Sequence, residues 1–303
     1  MQERDILPNY LSTNVRMRDI KKITKDLFVD SIRMKMKVLN FFSERVAANY
    51  AIKVFCTTRY SRKTTKEVEA VFQTAKLETL QIHGEEIKVY IFGKENTKSI
   101  FLVHGWEGQA RDFFKMIPPL VQAGYRVITI DGPAHGYSTG ERTNLIDFAL
   151  TLKKIVKIYG LSYEAFIGHS FGGASIVKFL SDNPQVKVKH TITISSPNKI
   201  INIFKNYAKF MHMSDSLLKK MISNFKETSG EDINELEVSK MYKKINAKKL
   251  LIHDFGDSAI SYNVAEEILE SDKEISHLKT NSLGHMHILK AELVHKEILD
   301  FLK

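Results

Sequence analysis

The sequence predicts an α/β fold, a mostly parallel β-sheet with helices on both faces. From about residue 77 onward, short runs rich in β-branched residues alternate with segments of helical periodicity. Most of these runs are apolar through their centres, as are strands buried on both sides of a parallel sheet. Strands that alternate with helices along the chain are typical of α/β sheets with helices on both faces.

The elements of this sheet can be placed in order. LETLQI at 77–82 and IKVYIF at 87–92, joined around His83 and Gly84, predict an antiparallel β-hairpin. Further strand candidates are 99–104, 125–131, 164–169, 189–195, 248–254 and 274–280. Helix-like segments lie between them, near 109–123, 144–159, 172–182, 261–270 and 286–302. The sheet should therefore begin with a hairpin and continue with parallel strands.

One interval lacks the alternation. Between Pro197 and Lys248 the chain shows two or three helical patterns and no strand signal. We expect about residues 198–247 to form a helical cap, inserted into a domain that spans residues 77–303. Residues 1–76 should form a separate N-terminal helical segment.

The N-terminal segment has helical periodicity from about Ile20 to Phe55. Its apolar stripe consists of Ile20, Ile23, Leu27, Met34, Val38, Phe41, Ala48, Ile52 and Phe55. The opposite side carries Lys21, Lys22, Lys25, Arg33, Lys35 and Lys37. We expect one amphipathic helix whose stripe packs on the body, so that Asp at Leu27 and Phe41 would destabilise the fold. The alternative is a helix that lies on an anionic membrane surface.

The excess positive charge is confined to the N-terminal segment. The net charge is +10, and residues 15–66 hold 14 Lys and Arg against 4 Asp and Glu, so the remainder of the chain is nearly neutral. A nucleic-acid enzyme would more often spread basic residues around its cleft, so we expect no nucleic-acid partner. An anionic membrane surface remains a candidate partner for residues 15–66.

Composition also bears on the compartment. Cys56 is the single cysteine, so no disulfide can form within the chain. The sequence opens on polar residues interrupted by charge, whereas a secretory signal has a basic stretch and an apolar run of about 7 to 15 residues. We therefore expect a cytoplasmic protein, with peripheral membrane attachment as the alternative.

The strongest chemical signal is Gly168-His169-Ser170-Phe171-Gly172-Gly173, between a predicted strand and a predicted helix. A nucleophilic serine at a strand-to-helix turn needs small neighbours, and Gly168 and Gly172 supply them. The turn lifts the Ser170 hydroxyl out of the sheet. The backbone N–H of Phe171 then points toward an oxyanion formed at the attacked carbon.

Two other loops follow strands. His104-Gly105-Trp106-Glu107-Gly108 ends an earlier strand, and the N–H of Trp106 can supply a second oxyanion donor. Residues 131–138, Asp-Gly-Pro-Ala-His-Gly-Tyr-Ser, form a turn after the next strand. We assign Asp131 to the organisation of this turn and not to catalysis.

These three motifs, each after its own strand, resemble the α/β-hydrolase superfamily over about residues 77–303. The resemblance implies a serine, acid, histidine triad in that chain order, with the acid after the strand that follows the cap and the histidine after the last strand. LLIHDFGDSAI contains the acid and NSLGHMHILK the histidine. The N-terminal segment lies outside the resemblance.

Each of these segments offers two candidates. Asp257 is preferred to Asp254 because it lies further into the loop, where its carboxylate can reach over the sheet edge, and the family pattern also favours the later acid. His285 is preferred to His287 because it follows Gly284 in the loop, whereas His287 falls in a helical pattern. Two further histidines, His253 and His277, lie within strand patterns and should be ordinary core or surface residues.

The expected activity is that of a serine hydrolase which cleaves a small-molecule carboxylic ester, or a thioester, through an acyl-enzyme. We expect no cofactor, and no His or Cys spacing indicates a metal site. Two alternatives stay open. One is a peripheral lipase or lysophospholipase, and the other is a non-catalytic ligand-binding protein on the same fold.

Overall fold

The computed structural model describes residues 17–59 and 64–303, and the side chains of residues 17–25 lie outside the description. The strands are β1 (Lys76–Ile82), β2 (Glu85–Phe92), β3 (Lys98–Val103), β4 (Tyr125–Asp131), β5 (Ser162–His169), β6 (Lys187–Ile194), β7 (Lys248–Asp254) and β8 (Ser276–Thr280). The α-helices are α1 (Met17–Phe42), α2 (Glu44–Cys56), α3 (Lys66–Phe72), α4 (Ile117–Gln122), α5 (Leu145–Tyr159), α6 (Phe171–Asp182), α7 (Ile200–Phe210), α8 (Asp215–Ser229), α9 (Val238–Tyr242), α10 (Asn263–Ser271), α11 (Gly284–His287) and α12 (Glu292–Phe301). Two 3-10 helices occupy Ala110–Phe113 and Ile288–Lys290.

The described strands form one eight-stranded sheet in the order β1-β2-β4-β3-β5-β6-β7-β8. β1 and β2 pair antiparallel, and so do β2 and β4. Every pair from β4 to β8 across the sheet is parallel. The predicted hairpin is confirmed, with Ile82 paired to Glu85 across a turn in which both His83 and Gly84 have positive φ. This is the backbone of a tight two-residue hairpin turn.

The sheet is buried on both faces, which explains the apolar centres of its strands. In β3, for example, Ile100, Phe101, Leu102 and Val103 are fully buried. Side chains on one face pack with α2, α5, α6 and the helices between β6 and β7, while those on the other face pack with α3, α4 and α12. Each fully buried aliphatic or aromatic side chain contributes about 1.5 to 3 kcal/mol, so the two layers hold the sheet in place.

Three helices, α7, α8 and α9, fill the interval between β6 and β7. Lys178 on α6 is 7% exposed and forms ion pairs with Asp182 at 2.6 Å and with Glu231, in the loop after α8, at 2.8 Å. The hydroxyl of Tyr242 on α9 donates to Thr193 Oγ1 of β6 at 2.7 Å within the core. Both contacts tie this interval to the body. Its role as a cap, and a domain boundary at residue 76, stay predictions.

The N-terminal helix differs from the expectation. The expected helix over Ile20–Phe55 is broken at Ser43, whose φ of −162° is non-helical and whose hydroxyl accepts the N–H of Val46, so that α2 begins there with its own N-cap. Serine is a favoured N-cap because its side chain replaces a missing backbone acceptor. The chain therefore has two N-terminal helices where periodicity alone predicted one.

The expected burial of the α1 stripe was wrong. Leu27 is 64% exposed and Phe41 is 85% exposed, while Val29, Ile32 and Met36 on the other side of the helix are buried. α1 carries two apolar stripes, and periodicity does not decide which of them docks. In α2 the outcome is different, since Ala48 is buried and packs in the core. The predicted stripe residues Ile20 and Ile23 and the predicted basic residues Lys21, Lys22 and Lys25 have side chains that lie outside the described part of the structure.

Among residues 17–59 and 64–303, no helix is both long enough and apolar enough to cross a lipid bilayer.

The two faces of α1 should respond differently to the same substitution. Met36→Asp would bury an unpaired carboxylate, so we expect it to lower the free energy of unfolding by at least about 2 kcal/mol. Phe41→Asp should change that free energy by no more than about 0.5 kcal/mol, because the side chain is exposed. Urea denaturation of the two variants beside the wild type measures both effects. A larger loss for Phe41→Asp would contradict this account of α1.

Candidate active site

The residues singled out by sequence converge at one edge of the sheet. Ser170 directly follows β5, and Trp106 follows β3. Asp257 follows β7 and His285 follows β8. These four strands are parallel, so their carboxyl ends lie along the same edge, where open α/β sheets place their ligand sites.

Ser170 occupies a strained turn between β5 and α6. Its φ is 51° and its ψ is −122°, a conformation that non-glycine residues rarely adopt. A Cβ at Gly168 would lie 2.5 Å from the carbonyl oxygen of Gly172, and a Cβ at Gly172 would lie 2.2 Å from that of Val103. Neither contact is sterically possible, so both positions require glycine. The Ser170 hydroxyl makes no capping hydrogen bond to α6, although Ser170 is the N-cap residue.

The two expected oxyanion donors belong to neighbouring segments. The ring of Trp106, in the loop after β3, meets the ring of Phe171 edge-on with the centroids 5.4 Å apart. Phe171 opens α6, so its N–H lies at the positive end of the helix dipole. The contact brings both residues beside Ser170. Their N–H groups as oxyanion donors stay a prediction.

Two buried histidines hold the loop after β3 against the turn after β4. His104 Nε2 accepts the N–H of Gly132 at 2.9 Å, so its proton is on Nδ1, which donates to the carbonyl oxygen of Gly105 at 2.8 Å. His135 Nε2 likewise accepts the N–H of Glu107 at 3.0 Å. Burial, with His104 close by, lowers the pKa of His135 to about 3, so this ring stays neutral and can accept.

Asp131 organises the turn after β4, as predicted. Its carboxylate accepts the backbone N–H of Ala110 at 2.8 Å and that of Tyr137 at 2.9 Å, together with the Tyr90 hydroxyl at 3.0 Å. The carboxyl group is fully buried among these donors. It therefore fixes the loops on either side and faces away from solvent.

Asp257 and His285 are hydrogen-bonded to each other. His285 Nδ1 lies 2.7 Å from Asp257 Oδ2, and the Asp257 side chain is fully buried while that of His285 is 17% exposed. The other carboxylate oxygen accepts the N–H groups of Ala259 and Ile260, both at 2.9 Å. With its Nδ1 proton donated to the carboxylate, the His285 ring has its basic lone pair on Nε2.

The environment of Asp257 favours its ionised form. Burial by itself would raise the pKa of this carboxyl, but the hydrogen bonds from His285 and the Ile260 N–H, with the charge interaction with His285, outweigh burial. The Ser195 hydroxyl acts in the same direction. Together they lower the pKa of Asp257 to about 2. The side chain is a carboxylate at any pH where the protein would work.

Asp254, the other candidate acid, has a different set of partners. Its carboxylate accepts the N–H of Gly256 at 2.9 Å, the Thr280 hydroxyl at 2.7 Å and the N–H of Leu283 at 3.0 Å. It is fully buried. These contacts join the loop after β7 to the segment that leads into His285, so Asp254 supports both loops.

The position of His285 differs in one respect from the sequence expectation. It lies in the short helix α11, which also contains His287, and not in a loop before a helix. A single turn of helix between β8 and the following 3-10 helix is too short to produce a periodic sequence pattern. His287 is exposed, whereas His285 is half-buried.

Two histidines near the site were not assigned a role from sequence. His169 Nε2 donates to the backbone carbonyl oxygen of His285 at 2.8 Å, and the two rings are 4.7 Å apart. His253, which we expected to be an ordinary core or surface residue, is buried with Nε2 only 3.7 Å from Asp257 Oδ2 and 2.9 Å from the carbonyl oxygen of Ile260. In the sequence, the four-residue spacing between His253 and Asp257 across the end of β7 could have indicated that this histidine lies near the acid.

Burial lowers the pKa of His169 to about 3, with His285 close by as a second cause, and burial also lowers the pKa of His253. Both imidazole rings are therefore neutral and act as hydrogen-bond donors. His277 lies apart, with Nε2 3.3 Å from the Tyr262 hydroxyl. Within residues 17–59 and 64–303, no three His, Cys, Asp or Glu side chains are grouped as a metal ion would require.

Comparison with known proteins finds similarity to one family over part of the chain. The family described as alpha/beta hydrolase fold matches residues 98–214, which include the four strands β3 to β6 and the Ser170 turn. A bifunctional esterase/perhydrolase from Acinetobacter calcoaceticus is 20% identical over 270 residues, 73% of this chain and 97% of that protein. The magnesium-chelatase 30 kDa subunit from Rhodobacter capsulatus is 38% identical over 92 residues, 29% of this chain and 32% of that protein.

Among solved structures, Est1E from Butyrivibrio proteoclasticus with ferulic acid bound is similar in fold. Its TM-score is 0.63 at 18% sequence identity, and the match covers 74% of this chain and 97% of that one. The sheet order, the strained Ser170 turn and these likenesses agree, and the chain has the α/β-hydrolase fold.

Proposed function

We propose that the protein is a serine hydrolase that cleaves small-molecule carboxylic esters through an acyl-enzyme, with Ser170 as nucleophile, His285 as base and Asp257 as the acid that orients it. The observation that carries the proposal is the 2.7 Å hydrogen bond between a buried, ionised Asp257 and His285, at the sheet edge where Ser170 lies on its strained turn.

The acylation step follows from these roles. His285 Nε2 removes the proton from the Ser170 hydroxyl while the oxygen attacks the ester carbonyl carbon. Asp257 stabilises the imidazolium that results and keeps the ring in the Nδ1–H tautomer. The imidazolium then gives its proton to the departing alcohol, and the acyl group remains on Ser170.

The negative charge that develops on the carbonyl oxygen requires donors near Ser170. We assign this role to the backbone N–H groups of Trp106 and Phe171, because both residues flank the nucleophile and their rings are in contact. Such preorganised donors contribute about 3 kcal/mol each to transition-state stabilisation. Phe171 has the added advantage of the helix N-terminus.

Water completes the cycle. His285 removes a proton from a water molecule as it attacks the acyl-enzyme, and Ser170 recovers its proton when the acid product leaves. The match to the esterase/perhydrolase covers 97% of that relative's length, and it favours an ester as the bond that this protein cleaves. A thioester would use the same steps, since the triad does not distinguish them.

Removal of the nucleophile tests the proposal. Ser170→Ala should lower kcat for a p-nitrophenyl ester by at least about a thousandfold and abolish labelling by a fluorophosphonate probe. The change removes one hydroxyl at a half-buried turn, so the melting temperature should hold. The matched control is Ser181→Ala, near the C-terminal end of α6, which should retain labelling and turnover. A folded Ser170→Ala variant with wild-type turnover would refute the assignment.

The two candidate acids are separated by paired substitutions. Asp257→Asn should lower kcat by about ten-thousandfold, because an amide no longer holds His285 in the productive tautomer. Asp254→Asn should mainly lower the melting temperature, since that carboxylate accepts from Gly256, Thr280 and Leu283 and does not contact His285. Kinetics and thermal unfolding of both variants measure the difference. A greater loss of kcat in Asp254→Asn would show that the acid is misplaced.

The pH dependence of the activity should not report the titration of Asp257, His169 or His135. The pKa of Asp257 is lowered to about 2, and burial lowers the pKa of His169 and of His135 to about 3 and also that of His253. Above about pH 5, therefore, Asp257 should stay ionised and His169 and His135 should stay neutral, so none of these three groups should limit kcat/KM. We expect the acid limb of log kcat/KM against pH to rise with a slope of one. A slope of two would mean that a second group must also lose a proton.

A further inference from the structure

Within residues 17–59 and 64–303, nothing covers one apolar surface of α1. Leu27, Met34, Val38 and Phe41, which we term the outer face, are all at least half exposed. Their spacings of seven, four and three place them on one side of the helix, and they extend over about 21 Å of its length. Contiguous exposed apolar patches of this kind mark interaction sites in soluble proteins.

The outer face is presented in a fixed orientation. Val29, Ile32 and Met36, on the opposite side of α1, are buried in the core. The guanidinium of Arg33 donates to the carbonyl oxygen of Phe210, at the end of α7, and lies 5.3 Å from the centre of that ring. The helix is therefore attached to the body through its inner side, and the outer face points away from the core.

Aromatic side chains enlarge this surface. Phe28 and Phe42 are exposed beside the outer face, and the Phe42 ring meets that of Phe41 edge-on with the centroids 5.3 Å apart. Three exposed phenylalanines on one helix are costly in water, because each leaves a large apolar area hydrated. At the boundary between lipid headgroups and acyl chains, such rings are stabilised.

Exposed lysines flank the outer face, in a segment of the sequence that has a large positive excess. Lys35 and Lys37 are exposed and, at about 100° per residue, lie on its two flanks. Asp26 and Asp30 are the acids closest to Leu27 in sequence, and Arg33 neutralises Asp30 in an ion pair of 2.9 Å. Over residues 15–66 the chain has 14 Lys and Arg and 4 Asp and Glu. Lysines that flank an apolar face can extend to anionic headgroups while the apolar residues enter the bilayer surface.

We propose that the outer face of α1 docks on an anionic lipid surface, with the helix axis parallel to the membrane. A second copy of the chain is the less favourable occupant, because face-to-face packing would bring together two segments that each carry a large positive excess. An anionic bilayer has the complementary charge and also accepts the phenylalanines. The protein would thus bind peripherally, with α1 as its contact.

Sedimentation with lipid vesicles tests the proposal on the full chain. The probes are vesicles of phosphatidylcholine that contain phosphatidylglycerol, and vesicles of phosphatidylcholine alone. We expect binding to the first and much weaker binding to the second, and we expect salt to release the protein as the Debye length falls from about 10 Å at 0.1 M to about 3 Å at 1 M. Equal binding to both compositions, or none to the anionic vesicles, would overturn the proposal.

Variants locate the contact. Leu27→Ser/Phe41→Ser should weaken binding to anionic vesicles at least about tenfold, because two apolar anchors are lost. Lys35→Gln/Lys37→Gln should weaken it about fivefold per lysine at low salt. The matched control is Ile158→Ser/Leu293→Ser, which removes two similarly exposed apolar side chains from α5 and α12 and should bind as the wild type does. Unaltered binding by the α1 variants would overturn the proposal.

Two further readouts make the result specific. All three variants should keep the wild-type melting temperature, because all six side chains are exposed. They should also keep the wild-type hydrolysis of a water-soluble ester, because none of the six residues belongs to the proposed active site. Vesicle binding is therefore independent of whether the esterase assignment holds. Light scattering decides between lipid and a second copy. A wild-type dimer that Leu27→Ser/Phe41→Ser converts to monomer would overturn lipid docking and identify the outer face as a contact between copies.

Discussion

The close packing of α6 against the ends of β3 and β5 is the constraint on which the site depends. The carbonyl oxygen of Val103 lies where a Cβ of residue 172 would be, so the helix can approach the sheet only with glycine at that position. This approach forces Ser170 into its strained φ of 51°. Strain of this kind costs about 1 to 3 kcal/mol and persists because the buried layers on both sides of the sheet hold the turn. The conformation of Ser170 is thus a consequence of how tightly a helix and two strands pack.

The loops around this turn are held by neutral polar groups that the protein buries. His104, His135 and His169 each connect two segments through a ring nitrogen, and burial keeps the pKa of His135 and His169 low enough for them to remain uncharged. Asp131 and Asp254 also connect segments of the chain, because each carboxylate accepts two or more backbone N–H groups. Because a buried polar group without partners costs about 1 to 3 kcal/mol, each of these contacts specifies one loop arrangement.

The N-terminal helices extend the same principle to the surface. α1 is fixed by its inner stripe and by Arg33, which leaves a second apolar stripe in contact with solvent. A helix that needed only to brace the fold would gain nothing from exposed phenylalanines. The proposed ester hydrolysis and the proposed lipid contact are separate properties, yet they are compatible, since an ester substrate with an acyl chain partitions to the surface where such a helix would bind.

The sequence alone determined the parallel sheet, its initial hairpin and the Ser170 turn, because apolar runs, turn residues and close-packed glycines act over a few neighbouring positions. It also pointed to Asp257 and His285, which the structure brings within 2.7 Å, by the order of motifs along the chain. Only the tertiary structure decided which apolar stripe of α1 is buried, that Ser43 ends one helix and begins another, and that His169 contacts a carbonyl group 116 residues away. These features depend on what lies opposite each side chain in space, and periodicity along one helix or strand carries no information about that partner.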